Sequence, residues 1–230
     1  SDQGFGGGDF GTVPGGAGKR CNADDRLARL ASTGGSPECE TAVINALRYL
    51  TKKQHQEGYW GEEHRCGITG LALLAYLGHC ETPVSEEFGE AVFNATVYLI
   101  DRAMKNKGRI FDDEGGPWCY EHAIATYALC ESYLFSRSFG YHIPNLEKVV
   151  QGGVQWIIDS QNSVGSWGYR YGGGGRYDTS ITAWHLQALK AAKSTGLKFP
   201  KLQDSVNRGL KSLINTQLPS GGFGYDLNRK

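Results

Sequence analysis

The string Gln-x-x-x-Gly-x-Trp occurs twice in this chain, as Gln54-His-Gln-Glu-Gly58-Tyr-Trp60 and Gln161-Asn-Ser-Val-Gly165-Ser-Trp167. A third copy, Gln217-Leu-Pro-Ser-Gly221-Gly-Phe223, carries Phe in place of Trp. An internal repeat constrains a fold more tightly than composition does, because one supersecondary unit must stack on its own copies to bury its apolar face. Gln161 to Gln217 spans 56 residues and Gln54 to Gln161 spans 107, close to two such periods, with the degenerate segment Lys105 to Phe111 standing in the missing place.

Each copy follows a stretch with helical periodicity. Ser36-Pro37-Glu38 supplies a capping hydroxyl, a proline for the first turn and a carboxylate at the positive end of the helix dipole. The pattern predicts an amphipathic helix over 37 to 53, with Val43, Leu47 and Leu50 on one face, and similar helices over 85 to 104, 146 to 160 and 202 to 216. Between them lie Cys66 to Leu77, Tyr120 to Tyr133 and Thr179 to Ala192, apolar nearly all round. Such helices are buried, so inner helices are expected over 66 to 78, 120 to 134 and 179 to 194. No strand pattern separates the two kinds. The expected fold is all-α, built from repeated helix pairs: amphipathic helix, glycine turn, buried helix. Residues 1 to 22 read as a glycine-rich tail or linker, a short helix is expected near Asp24 to Leu30, and residues 23 to 230 form the repeat domain.

Composition removes several classes of function. The 24 basic and 24 acidic residues balance, and no long run of one sign interrupts them, which argues against a nucleic-acid or membrane-surface footprint. No apolar stretch approaches the roughly 20 residues of a membrane span. The six cysteines form no Cys-x-x-Cys pair, and in 230 residues they are too few for a dense disulfide scaffold. Cys130 is expected to be a buried free thiol. Redox compartment and cellular location stay open.

Gln-x-x-x-Gly-x-Trp at the end of an outer helix resembles the signature of the squalene/hopene cyclase and protein prenyltransferase β-subunit superfamily, and the resemblance covers residues 37 to 230. It implies an α/α toroid with inner helices around a central cavity. The motif itself has a structural explanation: glycine permits the reversal, the indole stacks on the turn, and the amide bonds backbone groups at a helix end. Three helix pairs and the start of a fourth are expected here. A toroid of the superfamily has about twice as many pairs, so an incomplete barrel open on one side is expected.

The resemblance also implies where chemistry could lie. Triterpene cyclases protonate their substrate with an Asp-x-Asp-Asp motif; Ile110-Phe111-Asp112-Asp113-Glu114-Gly115-Gly116 lacks that spacing and reads as a solvated acidic loop. Prenyltransferases hold zinc with Asp, Cys and His near the starts of inner helices. Aligning the buried helices through Thr69, Ala125 and Thr182 makes Arg65, Glu121 and Asp178 equivalent, and likewise Cys66, His122 and Thr179. Asp178, His122 and Glu121 are then the catalytic candidates, and Cys66, His122 and Asp178 the weak metal candidates. Capping explains them as well: Asp178 precedes Thr179-Ser180, and Glu121 suits a helix start. The Asp-x-Cys pairing of the prenyltransferases is absent, so no zinc or other cofactor is expected. Arg65, Tyr127, Trp184 and His185 are the candidates for contact with a ligand, a polar head at the rim and an apolar chain along the aromatics. The expected partner is an apolar or isoprenoid small molecule held in the concave face. The alternatives are a terpenoid or prenyl-processing enzyme using the rim, and a structural solenoid that binds a protein. The glycine run Gly172 to Gly175 does not read as a phosphate loop, since no Gly-Lys-Ser/Thr follows.

Overall fold

The computed structural model describes residues 20–112, 118–171 and 177–226. Among these residues it is all-helical: α1 Ala23–Ser32, α2 Pro37–Lys53, α3 Arg65–Gly78, α4 Gly89–Lys105, α5 Trp118–Phe139, α6 Leu146–Asp159, α7 Thr179–Ser194 and α8 Leu202–Thr216. The only β pairings among them are isolated bridges at Gly168 with Tyr177 and Gln217 with Phe223. The buried helices form one layer in series, α3 on α5 and α5 on α7, and α2, α4, α6 and α8 lie against them. Close approach within the inner layer depends on small residues. A Cβ on Gly70 of α3 would meet the Ala125 backbone of α5 at 3.1 Å, and one on Gly67 would meet the Glu121 side chain at 3.3 Å.

Two expected boundaries moved. The helix expected from residue 85 starts at Gly89, because residues 82 to 88 are occupied by a turn in which the Thr82 N–H donates to Ser85 Oγ and the Gly89 N–H donates to the Ser85 carbonyl. The inner helix expected over 120 to 134 runs to Phe139, since the chain before α1 covers its last turns. Arg20 lies over the Phe135 ring and pairs with Glu131 at 2.8 Å. A Cys21–Cys80 disulfide ties the same segment to the end of α3. Residues 20 to 22, read from sequence as the end of a tail, are therefore anchored; residues 1 to 19 lie outside the described ones. Cys130 is a buried free thiol as expected.

The motif turns join the layers in the same way at each full copy. The Trp60 indole N–H donates to the Leu50 carbonyl at 2.8 Å, and that of Trp167 to the Ile157 carbonyl at 2.8 Å. The Trp60 backbone N–H reaches Thr69 Oγ1, and that of Trp167 reaches Thr182 Oγ1, so each tryptophan pins the outer helix before it to the inner helix after it. Both indoles are buried, at 5% and 1% exposure. Gly58 and Gly165 stand at φ 91° and 87°, where an L side chain is strained, and both press on the backbone of the next outer helix.

Candidate functional site

The starts of the three inner helices meet at one rim, and Glu121 is its centre. It is 3% exposed, held by the first turn of α5, and its Oε2 accepts the Cys66 N–H at 3.1 Å and the Gly67 N–H at 3.4 Å. These are free donors at the N-terminus of α3, so a carboxylate 55 residues along the chain from Cys66 serves as its cap. His64 Nδ1 lies 3.4 Å from Glu121 Oε1. Burial raises the Glu121 pKa, and the contacts from His64 and the Gly67 N–H oppose that rise without cancelling it. Next along the rim, Tyr120 donates to Asp178 Oδ1 at 3.4 Å and pairs with Ser180 Oγ, linking α5 to α7.

Asp178 is the N-cap of α7. Its Oδ1 accepts from the Ser180 and Ile181 N–H groups at 2.8 and 3.0 Å, and Tyr169 donates to Oδ2 at 3.2 Å. Burial works against ionisation of Asp178, but the Ser180 and backbone hydrogen bonds win and its pKa is lowered.

His122 is turned into the interior. It is fully buried between α5 and α6, where Nδ1 accepts the Ile110 N–H at 3.0 Å and Nε2 donates to the Gly153 carbonyl at 3.1 Å. Burial pushes its pKa down to about 4, so both nitrogens are engaged in a neutral ring. His185 is likewise interior: Nδ1 donates to the Ile181 carbonyl, Nε2 accepts from Tyr171, and the ring stacks on Trp167 at 5.0 Å. Its pKa falls to about 3 through burial.

The rim therefore does not assemble Cys66, His122 and Asp178. His122 has no free nitrogen, and one Asp178 oxygen is spent on the α7 cap. Cys66 instead meets two other groups: its Sγ and the carboxylates of Asp112 and Glu121 lie within 4.8 Å of one another. Asp112 is thus no solvated loop residue. Tyr98 donates to both its oxygens at 2.8 and 3.0 Å, and Arg102 Nε stands 3.5 Å away. Burial drives the Cys66 pKa far upward, and both carboxylates add to the rise, so the thiol keeps its proton. Zinc, which the prenyltransferases hold but which is not expected here, would take a thiolate from such a residue. Arg102 stands beside Asp112 and helix N–H groups bond Glu121, so both carboxylates have partners of their own without an ion. Residues 113 to 117 and 172 to 176, which hold the rest of the acidic string and the glycine run, lie outside the described ones.

Arg65 is half-buried over the Tyr59 ring at 4.6 Å and donates to the Glu62 carbonyl, which folds it onto its own turn. Leu71, Tyr127 and Trp184 occupy equivalent positions on α3, α5 and α7 under the same Thr69, Ala125, Thr182 alignment. None is fully buried, although helix neighbours such as Leu73, Leu129 and Ile181 are. Below Tyr127 by one helical turn, Glu131 is paired with Arg20. A cavity of about 210 Å³ opens beside this row, lined by His64, Ile68, Leu71, Tyr120, Glu121 and Ile124. Sequence reasoning missed Asp112 and Tyr120 as rim members; the only signal was their place just ahead of, or at, an inner-helix start.

These features define a helical domain of stacked outer and inner helices, joined by Gln-x-x-x-Gly-x-Trp turns. Comparison with known proteins places a lanosterol synthase beside it: the chain is 28% identical over 124 residues to the lanosterol synthase of Candida albicans (strain SC5314 / ATCC MYA-2876). That alignment spans 53% of this chain and 16% of the synthase. The likeness supports a terpenoid-cyclase-like relationship for the helical domain. No family model matches the chain.

Proposed function

We propose that this chain is a terpenoid-cyclase-like repeat domain that binds an apolar ligand along its inner helices and does not itself catalyse cyclisation. The observation that carries the reading is the row Leu71, Tyr127 and Trp184. Three successive inner helices carry a large apolar or aromatic side chain at the same position, exposed at Leu71 and partly exposed at Tyr127 and Trp184. A row of large apolar side chains open to solvent is a surface that an apolar ligand can cover, and two of these three offer π faces to a polyene. An isoprenoid is the ligand class that fits this wall, in keeping with the lanosterol synthase likeness.

The geometry favours binding over catalysis. Glu121 caps α3, Asp178 caps α7 and His122 bridges Ile110 to Gly153, so each catalytic candidate has a structural partner at its reactive atoms. Titrating farnesol or farnesyl diphosphate into the protein, while following tryptophan emission, tests the reading. Saturable quenching that is lost in Trp184→Phe and weakened in Tyr127→Ala is expected. No response at millimolar ligand would refute it.

A further inference from the structure

Inside the molecule each full motif turn docks on the next outer helix. The Gln54 amide donates to its own turn at the Gly58 carbonyl and across to the Ala91 carbonyl of α4, both at 2.9 Å. The Gln161 amide donates to the Gly165 carbonyl and across to the Ser205 carbonyl of α8 at 2.8 and 2.9 Å. Gly58 fits against the Asn94 backbone and Gly165 against the Arg208 backbone, so closely that an added Cβ would fall within 2.4 and 2.5 Å of their carbonyl oxygens. The third copy has only the inner half of this arrangement. Gln217 donates to the Gly221 carbonyl at 3.3 Å and has no second acceptor among the described residues; a Cβ on Gly221 would meet nothing within 4 Å. Phe223, in the place of the buried indoles, is 53% exposed, and Ile214 is 66% exposed where its α4 counterpart Ile100 is 6%.

The matching acceptor is present at the other end of the same chain. Ala91-Val-Phe-Asn-Ala-Thr-Val-Tyr-Leu99 of α4, which receives the first turn, is repeated in α2 as Ala42-Val-Ile-Asn-Ala-Leu-Arg-Tyr-Leu50, identical at six of nine positions. In α4 the Val92 and Tyr98 side chains are buried; in α2 their counterparts Val43 and Tyr49 are 43% and 61% exposed, as are Ala42 and Asn45 beside them. The inner layer shows the same complementarity. Ile124, which lies against Gly70 of α3, and Ile181 are buried, whereas Ile68, their equivalent on α3, is 40% exposed. At the far end Ser180 and Ala183 take the places that Gly67 and Gly70 hold in the α3 contact with α5. There they line an apolar cavity of about 400 Å³ with Leu213, Phe223 and Tyr225.

We propose that copies of this chain associate head to tail, the Gln217–Gly221 turn and the α7–α8 edge of one copy seating on α2 and α3 of the next. The contact reproduces the intramolecular one: Gln217 reaches the Ala42 carbonyl, Gly221 lies on the Asn45 backbone, and Ile68 fills the cavity at Ser180 and Ala183. Such an interface is heterologous, so it closes into a ring if the rotation per copy allows and otherwise extends. It also covers the apolar surface left exposed at Phe223 and Ile214. This inference does not depend on ligand binding.

Sedimentation velocity over about 1 to about 200 µM protein tests it, since a specific heterologous contact should populate within that range. The expected result is a concentration-dependent assembly of the unmodified chain. Phe223→Glu blocks one edge and Ile68→Glu the other, at sites exposed enough for each variant to fold, as unchanged helical circular dichroism would verify. Each variant alone should be monomeric, with association weakened at least about tenfold. An equimolar mixture should form a heterodimer and nothing larger, because each variant retains one intact edge. A chain that stays monomeric at the highest concentration overturns the proposal. So does assembly that survives both substitutions, or a mixture that fails to pair.

Discussion

Gly165→Ala and Gly221→Ala make the same covalent change in equivalent turns, at φ 87° and 89°. Both variants incur the strain of an L residue in the left-handed region, about 1 to 2 kcal/mol. Only Gly165 faces a wall. Its added Cβ would sit 2.5 Å from the Arg208 carbonyl oxygen and 2.8 Å from the carbonyl carbon, against ordinary contacts of about 3.4 Å or more. The obstacle is helix backbone, which cannot swing aside as a side chain can. Moving α8 outward by several tenths of an ångström loosens the Gln161 bond to Ser205 and the packing of Leu186 on Gly209, whose Cβ position is itself only 2.7 Å from Leu186 Cδ2. Overpacking of that kind adds about 1 to 3 kcal/mol. Gly165→Ala should therefore cost about 2 to 5 kcal/mol and Gly221→Ala about 1 to 2 kcal/mol. Urea unfolding followed by circular dichroism and by tryptophan emission measures both. A difference below about 0.5 kcal/mol would refute the view that the motif glycine exists to let the next helix approach, and would leave the turn itself as its only requirement.

Trp167→Ala should cost about 3 kcal/mol or more, because the indole is 1% exposed, donates to Ile157 and stacks on His185; an unchanged denaturation midpoint would count against it. His79 lies between Glu81 and Glu40, and the Glu81 hydrogen bond, followed by that of Glu40, raises its pKa above the unfolded value against the effect of burial. The folded state thus holds the proton more tightly, so this contribution is full below about pH 6.5 and lost as pH rises through the raised folded pKa; His79→Gln should flatten the alkaline side of a midpoint-versus-pH curve. His122 behaves with the opposite sign. Its folded pKa of about 4 lies below the unfolded 6.5, so the unfolded chain takes up the proton first and stability falls as pH drops from 6.5 towards 4, by an amount on the order of 3 kcal/mol. His122→Gln should remove that acid dependence. Elemental analysis of protein purified without chelator should find no stoichiometric zinc; one ion per chain, lost in Cys66→Ala, would show that the Cys66, Asp112 and Glu121 cluster ionises its thiol after all.

The helices were legible because their signals are local. Ser36-Pro37-Glu38 marks the start of α2, and the 3.6-residue spacing of Val206, Leu210 and Leu213 marks α8. The apolar run from Cys66 to Leu77 marks a buried helix whatever the rest of the chain does. The motif spacing also announced that outer and inner helices alternate. What Glu121, His122 and Asp178 do was open at that level, since each had a capping or packing reading beside a chemical one. Asp178 resolves locally, its partners being two and three residues away. Glu121 and His122 do not, because their partners are the Cys66 N–H and the Gly153 carbonyl, 55 and 31 residues distant.

The sequence by itself determined the all-helical class, the order of amphipathic and buried helices, and the identity of the residues that turn one into the next. Those follow from backbone preferences and from burial periodicity, which are written within a few residues of each position. Only the tertiary structure decided that Cys21 pairs with Cys80 and that Asp112 leaves solvent to join Cys66 and Glu121. Each is a relation between surfaces brought together from distant parts of the chain, and no local pattern encodes which surfaces meet and which are left open.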